Sequence, residues 1–133
     1  MPEMSLEIAQ ADVRAFMLAI DQRGPSNPYP ANFIVPGGKL PSLYAELMCE
    51  KHCEFQDGDS LADQVDGAID LIWVTLGWLN AVGVDASPIW NAVQLANMTK
   101  VSGPVRSYGK REKPPGFQHP DVASLIDQQR KLT

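Results

Sequence analysis

The sequence predicts an all-α fold, a helical bundle of four to five helices assembled as a dimer or tetramer. Three observations predict it. Apolar residues recur at helical spacing, Pro- and Gly-rich stretches punctuate those runs, and one run is apolar nearly all round, as a helix buried between others would be. No segment alternates polar and apolar residues as a half-buried strand does. At 133 residues the chain reads as one domain spanning 1–133, long enough for a genuine core.

The first helix is expected from Ser5 to Asp21, with Leu6, Ile8, Val13, Phe16, Met17 and Ile20 as its apolar stripe, stopped by Gly24-Pro25. A long loop rich in Pro, Gly and Asn follows from Gly24 to Lys39; loops of that length are often functional. Pro41 opens the second helix, which runs to Gln56 and closes on Asp57-Gly58. Asp59 or Ser60 caps a third, from Leu61 to Val82, ended near Gly83. Ser87-Pro88 starts a fourth, to about Lys100. A second loop, Ser102 to His119, holds Arg106, Lys110, Arg111 and Lys113, with Lys100 at its edge, and Pro120 starts a short final helix.

Composition narrows the function. Hydrophobic residues at 44% and charged residues at 20% are ordinary for a globular chain and argue against disorder. A net charge of −5 without a basic stripe speaks against nucleic acid as a partner. The most apolar run, Leu71 to Val84, is too short to span a bilayer, so no membrane partner is expected. The opening residues carry acids and no apolar run, which gives no sign of a signal peptide and points to the cytoplasm. Cys49 and Cys53, one turn apart, are poorly placed for a disulfide within one helix. With His52 they fall short of a structural zinc set, since only His119 remains to help, and they read as unpaired, semi-buried thiols.

The carboxylates carry the functional argument. Glu46, Glu50 and Glu54 recur every four residues on the second helix and form one acidic row. Asp63, Asp66 and Asp70 share a face of the third. Val65, Ala68, Ile69, Leu71, Ile72, Val74 and Leu76 surround Asp66 and Asp70, and a carboxylate on such a helix is costly to bury unless paired or metal-bound. Two facing rows of this kind would form an oxygen-rich site for a hard cation such as Mg²⁺. Trp73 and Trp78 on the same helix read as core, Gly77 as a point of close helix approach, and Tyr29 and Phe33 as residues able to flank a base.

These residues together resemble the all-α nucleotide pyrophosphohydrolases, the group that includes the MazG-like, dimeric dUTPase-like and phosphoribosyl-ATP pyrophosphohydrolase-like enzymes. The third helix, DGAIDLIWVTLGWLNAVGVD, is similar to the family's Asp-rich central helix with its aromatic-Val-Thr-x-Gly stretch. The segment IWNAVQLANMTKVSGPV resembles its helix ending in Asn-Met-x-Lys, and GKREKPPGFQHPDV its closing motif. VRAFMLAI fits the short leading helix. Order and spacing match the phage and bacterial branch.

The resemblance implies a homodimer or homotetramer that splits a nucleoside triphosphate into monophosphate and pyrophosphate. It implies Glu50, Glu54, Asp66 and Asp70 as ligands for Mg²⁺, or Mn²⁺ in its place. Glu46 or Glu50 would act as the base, and Asn97, Lys100, Arg106, Lys110 and Lys113 would contact the nucleotide. Two positions depart from the pattern. Lys51 stands at an acid of the first motif, and Gly67 at the Glu of the second, where Asp66, one residue earlier, shares Asp70's face. These departures also raise the alternative of a catalytically weakened, nucleotide-binding relative with a regulatory or interaction role.

Overall fold

The computed structural model describes residues 5–34, 38–106 and 108–131; positions 35–37 and 107, within the two expected loops, lie outside them. The described residues form five α-helices: α1 (Leu6–Ala19), α2 (Lys39–Gln56), α3 (Leu61–Ala81), α4 (Ala86–Thr99) and α5 (Val122–Lys131), with a 3-10 turn at Lys100–Ser102. Among the described residues there is no strand, only an isolated bridge between Val105 and Arg111 in the basic loop. The all-α expectation holds.

Local chemistry sets the ends of the helices. Ser5 Oγ accepts from the Ile8 amide at 3.2 Å, and Ser60 Oγ from the Asp63 amide at 3.1 Å, each satisfying an orphan donor of a first turn. Helix α1 stops earlier than Gly24-Pro25 would require. Asp21 takes φ 60°, and the Gln22 amide donates back to the Met17 carbonyl at 2.8 Å, closing the helix with a left-handed turn. Gly83, at φ 78°, closes α3 the same way, with the Val84 amide on the Leu79 carbonyl at 3.0 Å. Helix α4 starts before Ser87-Pro88: Asp85 is its cap, accepting from the Ser87 amide at 3.1 Å. Pro88 still falls in the first turn, where a missing N–H costs nothing.

The core joins Val13 and Met17 of α1, Tyr44 of α2, and Val74, Leu76 and Ala81 of α3. Helices α2 and α3 approach closely through two glycines. A Cβ on Gly77 would stand 2.2 Å from a Tyr44 ring carbon, and one on Gly67 would stand 2.8 Å from the Phe55 Cα. Tyr44 is 2% exposed; its hydroxyl donates to Gln22 Oε1 at 2.6 Å, and burial pushes its pKa up.

A buried polar cluster locks α1 to the α3–α4 corner. Gln10 Nε2 donates to Asn80 Oδ1 at 3.0 Å and to the Val84 carbonyl at 2.8 Å, while its Oε1 accepts from the Ala86 amide at 2.9 Å. Asn80 returns a bond to the Gln10 carbonyl at 3.2 Å and accepts from Arg14 at 3.0 Å. Helix α5 docks on the same corner. Gln129 exchanges two 2.8 Å hydrogen bonds with the backbone of Asp85, and Arg130 donates to the Tyr29 carbonyl.

One apolar face stays uncovered in the single chain. Leu61, Val65, Ile69 and Ile72 form an exposed stripe along α3, with Leu61 77% and Ile69 58% exposed. Trp90, Leu95 and Met98 extend apolar surface along α4. Trp73, expected in the core, lies at this surface against Phe16, rings 5.9 Å apart, whereas Trp78 packs on the core. Among the described residues no single helix is long and apolar enough to cross a membrane.

Candidate functional site

The tight α2–α3 contact at Gly67 and Phe55 determines which carboxylates meet. Glu54 lies beside Phe55 in sequence and Asp66 beside Gly67, so the two acids flank the contact. With Asp57, Asp59 and Asp63 they line an open acidic groove of about 340 Å³. Asp57 and Asp59 escape a reading of the sequence alone, because Asp57-Gly58-Asp59 there signals only a turn.

One helical turn up α2, Lys51 reaches across to α3. Its ammonium lies 3.2 Å from Glu54 Oε2 and 3.8 Å from Asp70 Oδ2. The hydrogen bond to Glu54, backed by the charges of Glu54, Asp70 and Glu50, outweighs partial desolvation and raises the Lys51 pKa above its ordinary value. Lys51 is therefore a fixed cation where acids of both helices meet. Glu50 is exposed alongside it, and Glu46 is exposed a further turn toward the start of α2.

The donor set suits a hard divalent ion in kind but not in arrangement. Oxygen ligands are what Mg²⁺ takes, and Glu50, Glu54, Asp66 and Asp70 offer them. Yet Asp66 opens onto the groove, Asp70 is paired with Lys51, and the ammonium stands between the helices. Among the described residues no three His, Cys, Asp or Glu side chains gather as a cation cage. A resident divalent ion does not fit the seam while Lys51 occupies it. Cys49 and Cys53 are free and exposed on α2, a correction to their expected partial burial.

The basic residues lie elsewhere. Arg106 pairs with Glu112 and donates to the Tyr108 hydroxyl at 2.9 Å. These bonds hold its guanidinium pKa above the ordinary value, the Tyr108 bond contributing most. Lys100 and Lys113 each lie over the Phe117 ring, 5.4 and 5.7 Å from its centre, and Lys113 touches His119 at 3.3 Å. Lys110 and Asn97 are exposed. Among the described residues no hydrogen bond or ion pair links any of these to Glu50, Glu54, Asp66 or Asp70. Tyr29 and Phe33 stack on each other at 4.7 Å, which leaves no slot for a base between them.

The model of one protein family, phosphoribosyl-ATP pyrophosphohydrolase, matches residues 13–97. The chain belongs to this family. It thereby falls within the MazG-like nucleotide pyrophosphohydrolase superfamily, hydrolases that generally use divalent metal ions. No match was found among curated proteins. The matched segment of this phosphoribosyl-ATP pyrophosphohydrolase relative runs from mid-α1 to near the end of α4 and contains the whole α2–α3 seam. Asn97 is its final residue, so Lys100, Arg106, Lys110 and Lys113 lie beyond it.

Proposed function

We propose that this chain is a nucleoside triphosphate pyrophosphohydrolase whose polyphosphate-facing surface is the α2–α3 seam. The observation that carries the reading is the meeting of Glu54 and Asp70, from two helices of the family-matched segment, at a common cation. In the proposed reaction Glu50, or Glu46 behind it, takes a proton from water. The water oxygen bonds to the α-phosphorus, the α–β bridging bond breaks, and pyrophosphate leaves with the electron pair. The product is a monophosphate. Lys51 faces the phosphates with a fixed positive charge that develops no cost of reorganisation during the step.

A triphosphate in water travels as a chelate of Mg²⁺, or of Mn²⁺ in its place, and such ions are held by one or two carboxylates together with the phosphates. Glu50, Glu54, Asp66 and Asp70 are the residues that would meet that chelate, and its ion would supply charge neutralisation at the phosphates. Asn97, Lys100, Arg106, Lys110 and Lys113 are proposed nucleotide contacts. They reach the seam if the nucleotide spans the intervening surface or a second copy supplies them.

The exposed stripe on α3 and the apolar surface of α4 support a homodimer or homotetramer, because soluble monomers rarely leave so continuous a patch open. Sedimentation velocity at micromolar concentration is expected to show a dimer or larger; a monomer there would overturn the assembly. Two unbridged, exposed thiols suit a cytoplasmic setting.

The decisive assay is pyrophosphate release, screened over common and damaged triphosphates with Mg²⁺ or Mn²⁺. Asp70→Asn is expected to lower turnover at least about tenfold, or about 1.4 kcal/mol of transition-state stabilisation. Unchanged turnover would place the chemistry elsewhere. The position of Lys51 favours one second reading, a weakened relative that binds nucleotide without turning it over. That reading requires nucleotide-dependent thermal stabilisation with no pyrophosphate released, and turnover gained in Lys51→Glu.

A further inference from the structure

We propose that the ammonium of Lys51 replaces a resident divalent ion in the α2–α3 seam, so that the free protein holds no metal there and a divalent ion enters only with a nucleotide. Lys51 contacts carboxylates of both helices, 3.2 Å from Glu54 and 3.8 Å from Asp70. Its side chain is 24% exposed, against 49% and 42% for those two acids, so the lysine side chain is the most covered of the three. An ion ligating the same oxygens at about 2.0–2.1 Å would have to stand beside that ammonium or expel it.

The neighbouring positions close off the alternatives. Gly67 lies against the Phe55 backbone and cannot take an acid without moving α2. Asp66 opens onto the groove with Asp57, Asp59 and Asp63. The seam is thus partly neutralised by a cation that is covalently part of the helix, always present and monovalent. Glu50, Glu54 and Asp70 still outnumber it, which leaves negative charge for an ion that arrives already shielded by phosphates.

The test uses Mn²⁺ alone, titrated into the full chain and followed by loss of the free-ion electron paramagnetic resonance signal. Wild type is expected to show no saturable site. Lys51→Glu is expected to gain one, at least about tenfold tighter than any residual binding, since affinity follows ligand charge count. Adding Asp70→Asn to Lys51→Glu should abolish it. Should Lys51→Glu fail to fold, Lys51→Gln, which removes the charge and adds no ligand, is expected to gain weak saturable binding. A saturable site in wild type that Asp70→Asn removes would overturn the proposal, as would folded position-51 variants that gain nothing. The inference rests on the proposed function only for the nucleotide as carrier. A protein that releases no pyrophosphate yet shows this Mn²⁺ pattern would refute that function and leave the substitution of lysine for metal intact.

Discussion

Replacing Gln10 with leucine is expected to destabilise the protein by about 3 kcal/mol, although the change puts an apolar side chain of similar size at a position only 2% exposed. Transfer arguments alone give the opposite sign, because a buried leucine gains from leaving water. The hydrogen bonds decide. Gln10 satisfies the Val84 carbonyl and the Ala86 amide, and shares Asn80 Oδ1 with Arg14. Leucine strands the first two inside the fold, and each buried unpaired group costs roughly 1–3 kcal/mol. The Ala86 amide is also an orphan donor of α4's first turn, so the start of that helix loses its anchor to α1. Urea denaturation followed by circular dichroism measures the change; a variant as stable as wild type would show that the cluster contributes only geometry.

Gly67→Glu, which installs the acid found at this point of the family motif, is expected to cost at least about 3 kcal/mol and to add no metal ligand. The added Cβ would stand 2.8 Å from the Phe55 Cα and 3.0 Å from its nitrogen. Backbone atoms of a packed helix cannot swing aside as a flexible side chain would, so α2 must separate from α3. The carboxylate would then leave water beside Glu54 and Asp66, adding like-charge repulsion. Gly67→Ala separates the two contributions: the steric part persists and the charge part disappears. Wild-type stability in Gly67→Glu, with new Mn²⁺ uptake, would mean that the glycine is a lost ligand and not a packing contact.

Much of the fold was legible because burial and helical period leave the same imprint on a sequence. Val13 and Met17 of the expected α1 stripe point inward and meet Val74 and Leu76 of α3, but Ile8, Phe16 and Ile20 of that stripe and Val65, Ile69 and Ile72 of α3 stay exposed. Helix ends were less legible where two chemistries compete. Asp85 and Ser87 can each cap α4, and Asp21 closes α1 in a left-handed turn normally left to glycine. Trp73 shows a further limit: a helix apolar all round does not reveal which of its faces its own chain will cover.

The candidate site was half legible for a related reason. Spacing along each helix shows which residues share a face, and Lys51 stood out at an acid position of the family motif; its place against both Glu54 and Asp70 comes from the structure. Spacing says nothing of register between helices. That register, set by Phe55 against Gly67, turns Gly67 into a packing contact and places Asp66 beside Asp57 and Asp59. Nor does it tell where a long loop returns. Lys100 and Lys113 gather on Phe117, and Arg106 is spent on Glu112, for reasons visible only in three dimensions.

The hold of Gln129 on Asp85 ties the fate of the last helix to that of a distant bend. Helix α5 has ten residues and none fully buried, and a helix that short is marginal in water by itself. It survives only while docked, so whatever dislodges it also unlatches the bend where α3 gives way to α4. Two stretches separated by 44 residues thus share one opening event. The family-matched segment is thus held in part from outside, by a stretch of chain that the family match does not include.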